Sequence, residues 1–344
     1  MSEFRLAVLA LWLCCGMSFA ASEGVDGAEL RAAVQKSIDL LQKCGPIFVK
    51  NGACTSCHHQ SLPAMAISVA RPRGFRINER IAREQLQASA AFLNARRERY
   101  LQVIDIGGGA DTISYSLLGM AAEKYPPDAL TDAMVYYLKA TQGSDGRWRA
   151  TSHRPPLEYS DISTTAVSLR ATQLFAPEGE QAEYQEKIER AAAWLLHATP
   201  RANEERVFKL LGLGWAQASR AAIDKAAHEL LAGQRADGGW SQLPALPSDA
   251  YATGQALVAL HQAAGLPVSD RAYQKGAQFL LKTQLEDGSW LVKTRSLPLQ
   301  PYFESGFPHG PNQWISSTGT SWATMALALA AEPAQLSSRQ EPRP

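Results

Sequence analysis

The apolar and polar positions of this chain form a succession of helical stretches, and the alternation typical of β-strands is almost absent. Gly and Pro residues separate the stretches and end the helices before them. The stretches come in pairs. The earliest are AELRAAVQKSIDLLQKCG with QSLPAMAISVARPRGF, and ERIAREQLQASAAFLNA with DTISYSLLGMAA. The pattern therefore predicts an all-α chain that is built from helix pairs.

Internal repeats indicate how many pairs there are. Three first helices end in a Gln followed by Asp-Gly-x-Trp, at Gln142, Gln234 and Gln284. These Gln residues are 92 and 50 positions apart, which fits a unit of about 45 to 50 residues with one degenerate copy, AAAWLLHATP, between the first two. With the two earlier pairs the count is six. Six helical hairpins that close on themselves would form a double ring, with one set of helices inside the other.

The second helices also share a feature, because each starts at a residue that commonly caps helices. These residues are Asp111, Asp161, Asn203, Asp249 and Thr318. Buried carboxylates at one rim of a ring could act as acids. Their placement at the same point of each repeat favours capping. By the same reasoning, the repeated Gln and Trp residues are predicted to be structural.

The Gln and Asp-Gly-x-Trp segments resemble the Gln-Trp repeats of squalene–hopene cyclases, and DAYATGQALVAL is similar to the inner helices of protein prenyltransferase β subunits. The resemblance implies an α/α toroid in which the second helix of each pair lines a central, largely apolar cavity. It does not extend to the chemistry. The sequence has neither the Asp-x-Asp-Asp of the cyclases nor the Asp-Asp-x-x-Asp of magnesium-dependent terpene synthases, and no cysteine follows Cys57 to bind the zinc of a prenyltransferase.

The first residues predict export. Residues 1–21 contain an apolar run from Leu6 to Met17 and then small residues, the layout of a secretory signal peptide, so we expect a periplasmic or secreted protein. No later run is long enough to span a membrane. We expect residues 22–335 to form a single toroid domain and residues 336–344 a disordered tail. The net charge of +1 argues against a nucleic-acid partner.

The most specific motif is Cys54-Thr55-Ser56-Cys57-His58, which matches the attachment sequence of c-type haem. Two thiols three positions apart can bond to the two vinyl groups of one porphyrin, and the adjoining His58 then supplies the proximal imidazole. Two alternatives stay open. Cys54 and Cys57 could form a disulfide in an oxidising compartment, or could bind a metal ion together with His58 and His59. The motif favours covalent haem c at the loop that enters the first inner helix.

A sixth ligand for the iron is harder to predict. His309 lies in a long insertion, Leu291 to Ser317, that ring closure would bring beside the first pair. It is the candidate distal ligand, and His153 is a second one. For each of them, a solvated loop histidine is the simpler interpretation. His59 could hydrogen-bond a haem propionate or cap the helix, and the cap is the favoured interpretation.

Three functions are consistent with the sequence. In the first, an exported c-type haem protein transfers electrons with a periplasmic redox partner, or performs redox chemistry on an apolar small molecule in the cavity. In the second, the chain is a cyclase- or prenyltransferase-like enzyme of isoprenoids in which the cysteines are only a disulfide or metal clip. In the third, the toroid binds a lipid or a protein without catalysis. The missing acid motifs count against the second.

Overall fold

The computed structural model describes residues 25–104 and 106–332, so the predicted signal peptide and C-terminal tail lie outside the described residues. Within those ranges the chain is helical and contains no β-strand, and none of its helices is both long and apolar enough to cross a bilayer. The prediction of an all-α toroid is confirmed. Apolar faces of helix pairs can be buried only against other helices, so the pairs assemble around one shared core.

Six long helices and one short helix form the outer layer. They are α1 (Gly27–Gly52), α3 (Glu79–Asn94), α4 (Arg97–Leu101), α6 (Ala129–Thr141), α8 (Gln181–His197), α10 (Arg220–Leu231) and α12 (Arg271–Thr283). Six more helices form the inner ring. They are α2 (Leu62–Ala70), α5 (Gly109–Ala122), α7 (Asp161–Phe175), α9 (Asn203–Trp215), α11 (Ala250–Gln262) and α13 (Gln313–Ala330). Each inner helix packs against the next, and α13 packs against both α1 and α2, which closes the ring.

The inner helices approach one another closely because small residues stand where they meet. A Cβ on Gly254 of α11 would lie 2.6 Å from the backbone nitrogen of Ala323 on α13. A Cβ on Gly119 of α5 would lie 2.7 Å from the Cα of Ser61, just before α2. Side chains larger than hydrogen at these points would force the inner helices apart.

The repeated motif joins each outer helix to the next. In the copy at Gln234, the side-chain amide donates to the carbonyls of Gly238, in the same motif, and Ala272, at the start of α12. The indole of Trp240 is fully buried and donates to the carbonyl of Leu230 near the end of α10 at 2.8 Å, in addition to the backbone N–H of Gly233. The copies at Gln142 and Gln284 repeat both interactions. The motif is structural, as predicted.

The insertion that precedes α13 lies against α1. The thiol of Cys44 donates to the carbonyl of Gly306, and the Asn51 amide donates to the carbonyl of Glu304 at 2.8 Å. The insertion ends earlier than predicted, because α13 begins at Gln313 rather than at Thr318. Ring closure thus brings the insertion next to the Cys54–His58 motif.

Candidate functional site

The motif lies between α1 and the first inner helix. Helix α1 ends where Ala53 takes a left-handed conformation, and Ser56 then begins a π-helical turn, Cys57–Ser61, which continues directly into α2. The hydroxyl of Ser56 accepts a hydrogen bond from the backbone N–H of His59 at 3.1 Å. Ser56 is therefore the helix cap, and the interpretation of His59 as the cap is wrong.

Cys54, Cys57 and His58 all line one cavity of about 900 Å³, which we call the mouth cavity. Its other walls come from the end of α3, from α4, from the segments that lead into α5, α7 and α13, and from the insertion. The cavity therefore lies at the end of the ring where inner helices begin. Its volume is within the range of small-molecule and cofactor sites, typically about 300 to 1,000 Å³.

The two cysteines of the motif are free thiols, so the disulfide alternative is not what the structure shows. Within the described residues, no group of three or more His, Cys, Asp and Glu side chains is arranged to hold a metal ion. Cys54 is half-buried, whereas Cys57 is buried and donates to Glu158 Oε1 at 2.8 Å. Burial, and next the charge of Glu158, raise the pKa of Cys57 well above its usual value. Cys57 is therefore a protonated thiol at neutral pH.

Glu158 is in turn paired with a cation. Arg154 lies 3.3 Å from Glu158 Oε2, and its guanidinium stacks on the ring of Trp314 at 4.5 Å. This ion pair gives the buried carboxyl group a cationic partner on one side and the Cys57 thiol on the other. Arg154 and Glu158 come from the loop before α7 and Trp314 comes from α13. They are distant from the motif in the sequence, and no local signal could have identified them.

His58 and His59 are buried side by side. The Nδ1 atoms of the two rings face each other, and His59 Nε2 lies 3.0 Å from Ser305 Oγ in the insertion. Phe48 of α1 stacks on His59 at 4.4 Å, and Trp314 meets His58 edge-on at 5.9 Å. Burial lowers the pKa of His59 to about 3, and burial together with His59 and Arg154 lowers the pKa of His58 well below its usual value. Both imidazoles are neutral at physiological pH.

The Nε2 atom of His58 forms no hydrogen bond within the described part of the chain. A neutral imidazole with one uncommitted nitrogen at a cavity wall is the form of histidine that ligates metals. Elsewhere on the walls, Phe92 and Phe303 provide aromatic surface, and Arg96 and Arg99 provide positive charge. The cavity wall thus combines apolar and aromatic surface with arginine side chains and one carboxyl group, that of Glu158.

The structure does not place His309 in the mouth cavity. Its Nε2 lies 2.8 Å from the hydroxyl of Ser289 in the last repeat motif, and it is not among the residues that line the cavity. His153 is exposed and also outside the lining, although its neighbours Ser152 and Arg154 belong to it. Neither residue is brought together with His58, and a distal ligand from either one stays a prediction.

A second group of ionisable side chains is buried inside the ring. Asp111 of α5 accepts from the hydroxyl of Thr164, and Glu204 of α9 accepts from Tyr251 at 2.7 Å. Burial raises the pKa of Asp111 well above its usual value and that of Glu204 to about 8. Glu204 therefore holds a proton at neutral pH, and burial favours the protonated form of Asp111. Neither of them lines the mouth cavity, although Glu158 does and lies close enough to raise the pKa of Asp111 further.

No family model and no curated protein matches this sequence. Solved structures do match in fold. A glycosidase in complex with glucose is 12% identical with a TM-score of 0.62, covering 90% of this chain and 99% of the other. A variant of the type II terpene cyclase MstE from Scytonema, solved with the substrate geranylgeranyl dihydroxybenzoate, is 14% identical with a TM-score of 0.58, covering 88% and 98%. A protein from Actinoplanes is 15% identical with a TM-score of 0.56, covering 88% and 100%. At these identities the likeness establishes the toroid fold alone.

Proposed function

We propose that this chain binds one haem covalently through Cys54 and Cys57, with His58 as the proximal iron ligand, and that it is a redox protein on a terpene-cyclase-like toroid. One observation carries the proposal. Two unbridged thiols and a neutral imidazole with an uncommitted Nε2 line the same cavity of about 900 Å³. Their order and spacing are those of the c-type attachment motif.

The residues around the three groups fit this cofactor. The aromatic walls suit a flat macrocycle, and the guanidinium of Arg96 would pair with one of its carboxylates. The buried hydroxyl of Tyr100, also on the wall, has no hydrogen-bond partner in the described part of the chain. When bound, haem supplies one-electron chemistry, and its axial ligands and burial set the potential. The remaining space would hold an apolar small molecule, or would leave one edge of the haem accessible to a redox partner.

Attachment requires only the groups that are present. Each thioether forms when S–H adds across a vinyl double bond, so that sulfur bonds to one carbon, hydrogen moves to the other, and nothing leaves. The thiol of Cys57 would release its hydrogen bond to Glu158, which keeps its ion pair with Arg154. The carboxylate therefore does not become an unpaired buried charge.

The experiment is expression with the native N-terminus and a c-type haem maturation system. The denatured protein is then tested for haem by its absorption in alkaline pyridine. We expect bound haem in the wild-type protein and in Cys44→Ala, because Cys44 lies outside the cavity lining and serves as the matched control. Cys54→Ala with Cys57→Ala should abolish it. A colourless wild-type product under these conditions would contradict the proposal.

A second candidate is an acid-catalysed enzyme of isoprenoids. It is favoured by the buried Asp111 on an inner helix, whose pKa burial raises, together with the toroid fold that the chain shares with MstE. In this candidate Asp111 would deliver a proton to a polyprenyl substrate, and Thr164 would hold the carboxyl group in place.

Two variants separate the candidates. Incubation with geranylgeranyl-type substrates should give cyclised product in the double variant Cys54→Ala with Cys57→Ala, and no product in Asp111→Asn, if the chain is an acid-catalysed enzyme. Absence of product in every variant that folds would remove this candidate. Product that depends on Cys54 and Cys57 would instead connect turnover to haem.

A further inference from the structure

We propose that a chain of hydrogen bonds from the insertion fixes the tautomer of His58 and leaves the lone pair of its Nε2 atom on the mouth cavity. This inference rests on the proposed function and deepens it, because that lone pair is the one that would bind iron. The chain runs from Gln313 through Ser305 and His59 to His58. Its direction follows from which atoms can only donate and which can only accept.

The side-chain amide of Gln313 has a fixed orientation. Its Oε1 accepts from the backbone N–H of Ser305 at 3.0 Å, and a backbone N–H can only donate. Its Nε2 donates to the carbonyl of Phe303 at 2.6 Å, and a carbonyl can only accept. If the amide were turned over, its NH₂ group would face the backbone N–H of Ser305 and its oxygen would face the carbonyl of Phe303. The first contact would pair two donors and the second two acceptors, so Oε1 remains an acceptor.

The hydroxyl of Ser305 is therefore a donor to Gln313. Its Oγ lies 2.7 Å from Gln313 Oε1, and the single hydroxyl hydrogen must point there because Oε1 cannot donate. The lone pairs of Oγ remain. One accepts from the backbone N–H of Phe307 at 3.2 Å, and the other faces His59 Nε2 at 3.0 Å. His59 Nε2 must consequently carry a hydrogen.

The same reasoning passes through the two histidines. His59 is buried against Phe48 and forms no ion pair with a carboxylate within the described residues, so a charged ring would be an unpaired buried charge. The ring is therefore neutral, and because its one hydrogen is on Nε2, its Nδ1 is an acceptor. The atom that faces it is Nδ1 of His58, which must therefore donate. His58 is likewise buried, beside Trp314, and no carboxylate in the described part of the chain forms an ion pair with it. Its only ring hydrogen is therefore on Nδ1, and its Nε2 carries a lone pair.

This arrangement makes His59, Ser305 and Gln313 positioning residues for the proposed ligand. When the ring nitrogen that does not bind the metal donates a hydrogen bond, the ring is held in one orientation and the ligating nitrogen becomes more basic. It also gives the insertion a role. The segment 303–313 reaches the motif only because the ring closes, so the ligand's tautomer depends on the complete toroid.

The test uses the full chain without haem, labelled with ¹⁵N-histidine. The sequence has seven histidines, and His58→Gln and His59→Gln assign the two signals of interest. We expect His58 to show a protonated Nδ1 and an unprotonated Nε2, and His59 to show the reverse pattern. A hydrogen on His58 Nε2 in the wild-type protein would overturn the proposal.

Removing the hydroxyl of Ser305 should release the tautomer. In Ser305→Ala we expect His58 Nε2 to gain a substantial protonated fraction, because His59 Nε2 loses its acceptor. Ser305→Thr, which keeps the hydroxyl, should restore the wild-type pattern, and Ser269→Ala, at an exposed position outside the mouth cavity, is the control. A Ser305→Ala spectrum identical to the wild type would show that the hydrogen-bond chain does not set the tautomer.

A second readout applies to haem-bearing protein. Loss of the acceptor behind His58 should shift the reduction potential of Ser305→Ala to a more positive value than that of the control Ser269→Ala. Equal potentials would contradict the positioning role toward iron. The predicted tautomer in a chain that takes up no haem would overturn the proposed function and leave the tautomer assignment standing.

Discussion

Glu204 shows how burial sets the charge of side chains inside this ring. Its carboxyl is buried at the start of α9, and burial raises its pKa from an ordinary value of 4.5 to about 8. Tyr251 donates to one oxygen, which lowers the pKa but does not offset burial. Between those two pKa values the folded chain holds a proton that the unfolded chain has released. The stability that this proton contributes is complete at acidic pH and is lost as the pH rises through about 8.

We therefore expect the free energy of unfolding to fall between pH 5 and pH 8, with Glu204 contributing a slope of up to about 1.4 kcal/mol per pH unit. Glu204→Gln should remove that part of the slope, because glutamine keeps the shape and does not titrate. Urea unfolding at several pH values measures it, with the exposed Glu186→Gln as control. A slope unchanged in Glu204→Gln would mean that the carboxyl is ionised in the folded chain.

The sequence identified the motif residues of the site and could not identify their partners. Cys54, Cys57 and His58 are adjacent in the chain, so their shared chemistry is visible in a short motif. Glu158 and Ser305 reach them only through the packing of α7 and the insertion. A residue that acts through a tertiary contact leaves no local pattern in the sequence. The partners of the motif side chains are therefore visible only in the structure.

The starts of the helices were also predictable from the sequence only in part. Asp249 caps α11 as predicted, accepting from the backbone N–H of Ala252 at 2.9 Å. Asp111 does not cap, because α5 begins two residues earlier at Gly109, and the carboxyl instead lies buried against α7. Thr318 lies well inside α13. Cap preference predicts that a helix starts nearby, but the exact start depends on how neighbouring loops close over it.

Positive φ and close packing make one glycine of the repeat motif irreplaceable. Gly238 has φ of 87°, and a Cβ there would lie 2.5 Å from the carbonyl oxygen of Lys275 on the next outer helix. Gly265 has φ of 74° with no atom within 4 Å of the added Cβ. An alanine at either position would have the strain of a left-handed backbone. Only at Gly238 would its Cβ also collide with a neighbouring helix.

Gly265→Ala should thus cost about 1 kcal/mol of unfolding free energy from the left-handed conformation alone. Gly238→Ala should cost about 3 kcal/mol or more, because α12 must also move. Urea denaturation of both variants gives the comparison. Equal losses would show that α10 and α12 are not held together at this glycine.

Ring closure makes the last repeat motif bind α1 in the same way as the other motifs bind the outer helix that follows them. Gln284 donates to the carbonyl of Ala33 on α1 at 2.9 Å and to that of Gly288 at 3.1 Å, just as Gln234 donates to Ala272 and Gly238. In an open array the terminal contact would be missing or frayed. The repeats in the sequence predicted this closure, because six pairs complete a ring.

Gln284→Ala and Gln234→Ala should therefore destabilise the chain by similar amounts, about 1 to 3 kcal/mol for the two hydrogen bonds that each loses. Unfolding of both variants followed by circular dichroism provides the values. A loss near zero for Gln284→Ala beside a clear loss for Gln234→Ala would indicate that the ring is open between α12 and α1.

The complete toroid forms the mouth cavity, because the motif lies at its rim and distant segments contribute its walls. The proposed function requires haem to be linked to the two thiols in this cavity. The most direct measurement is mass spectrometry of the denatured chain after expression with a haem maturation system, followed by mapping of the peptide that contains Cys54 and Cys57. The account predicts a chain heavier by one haem, with the added mass on that peptide. An unmodified mass for the peptide, in protein that is folded and exported, would contradict it.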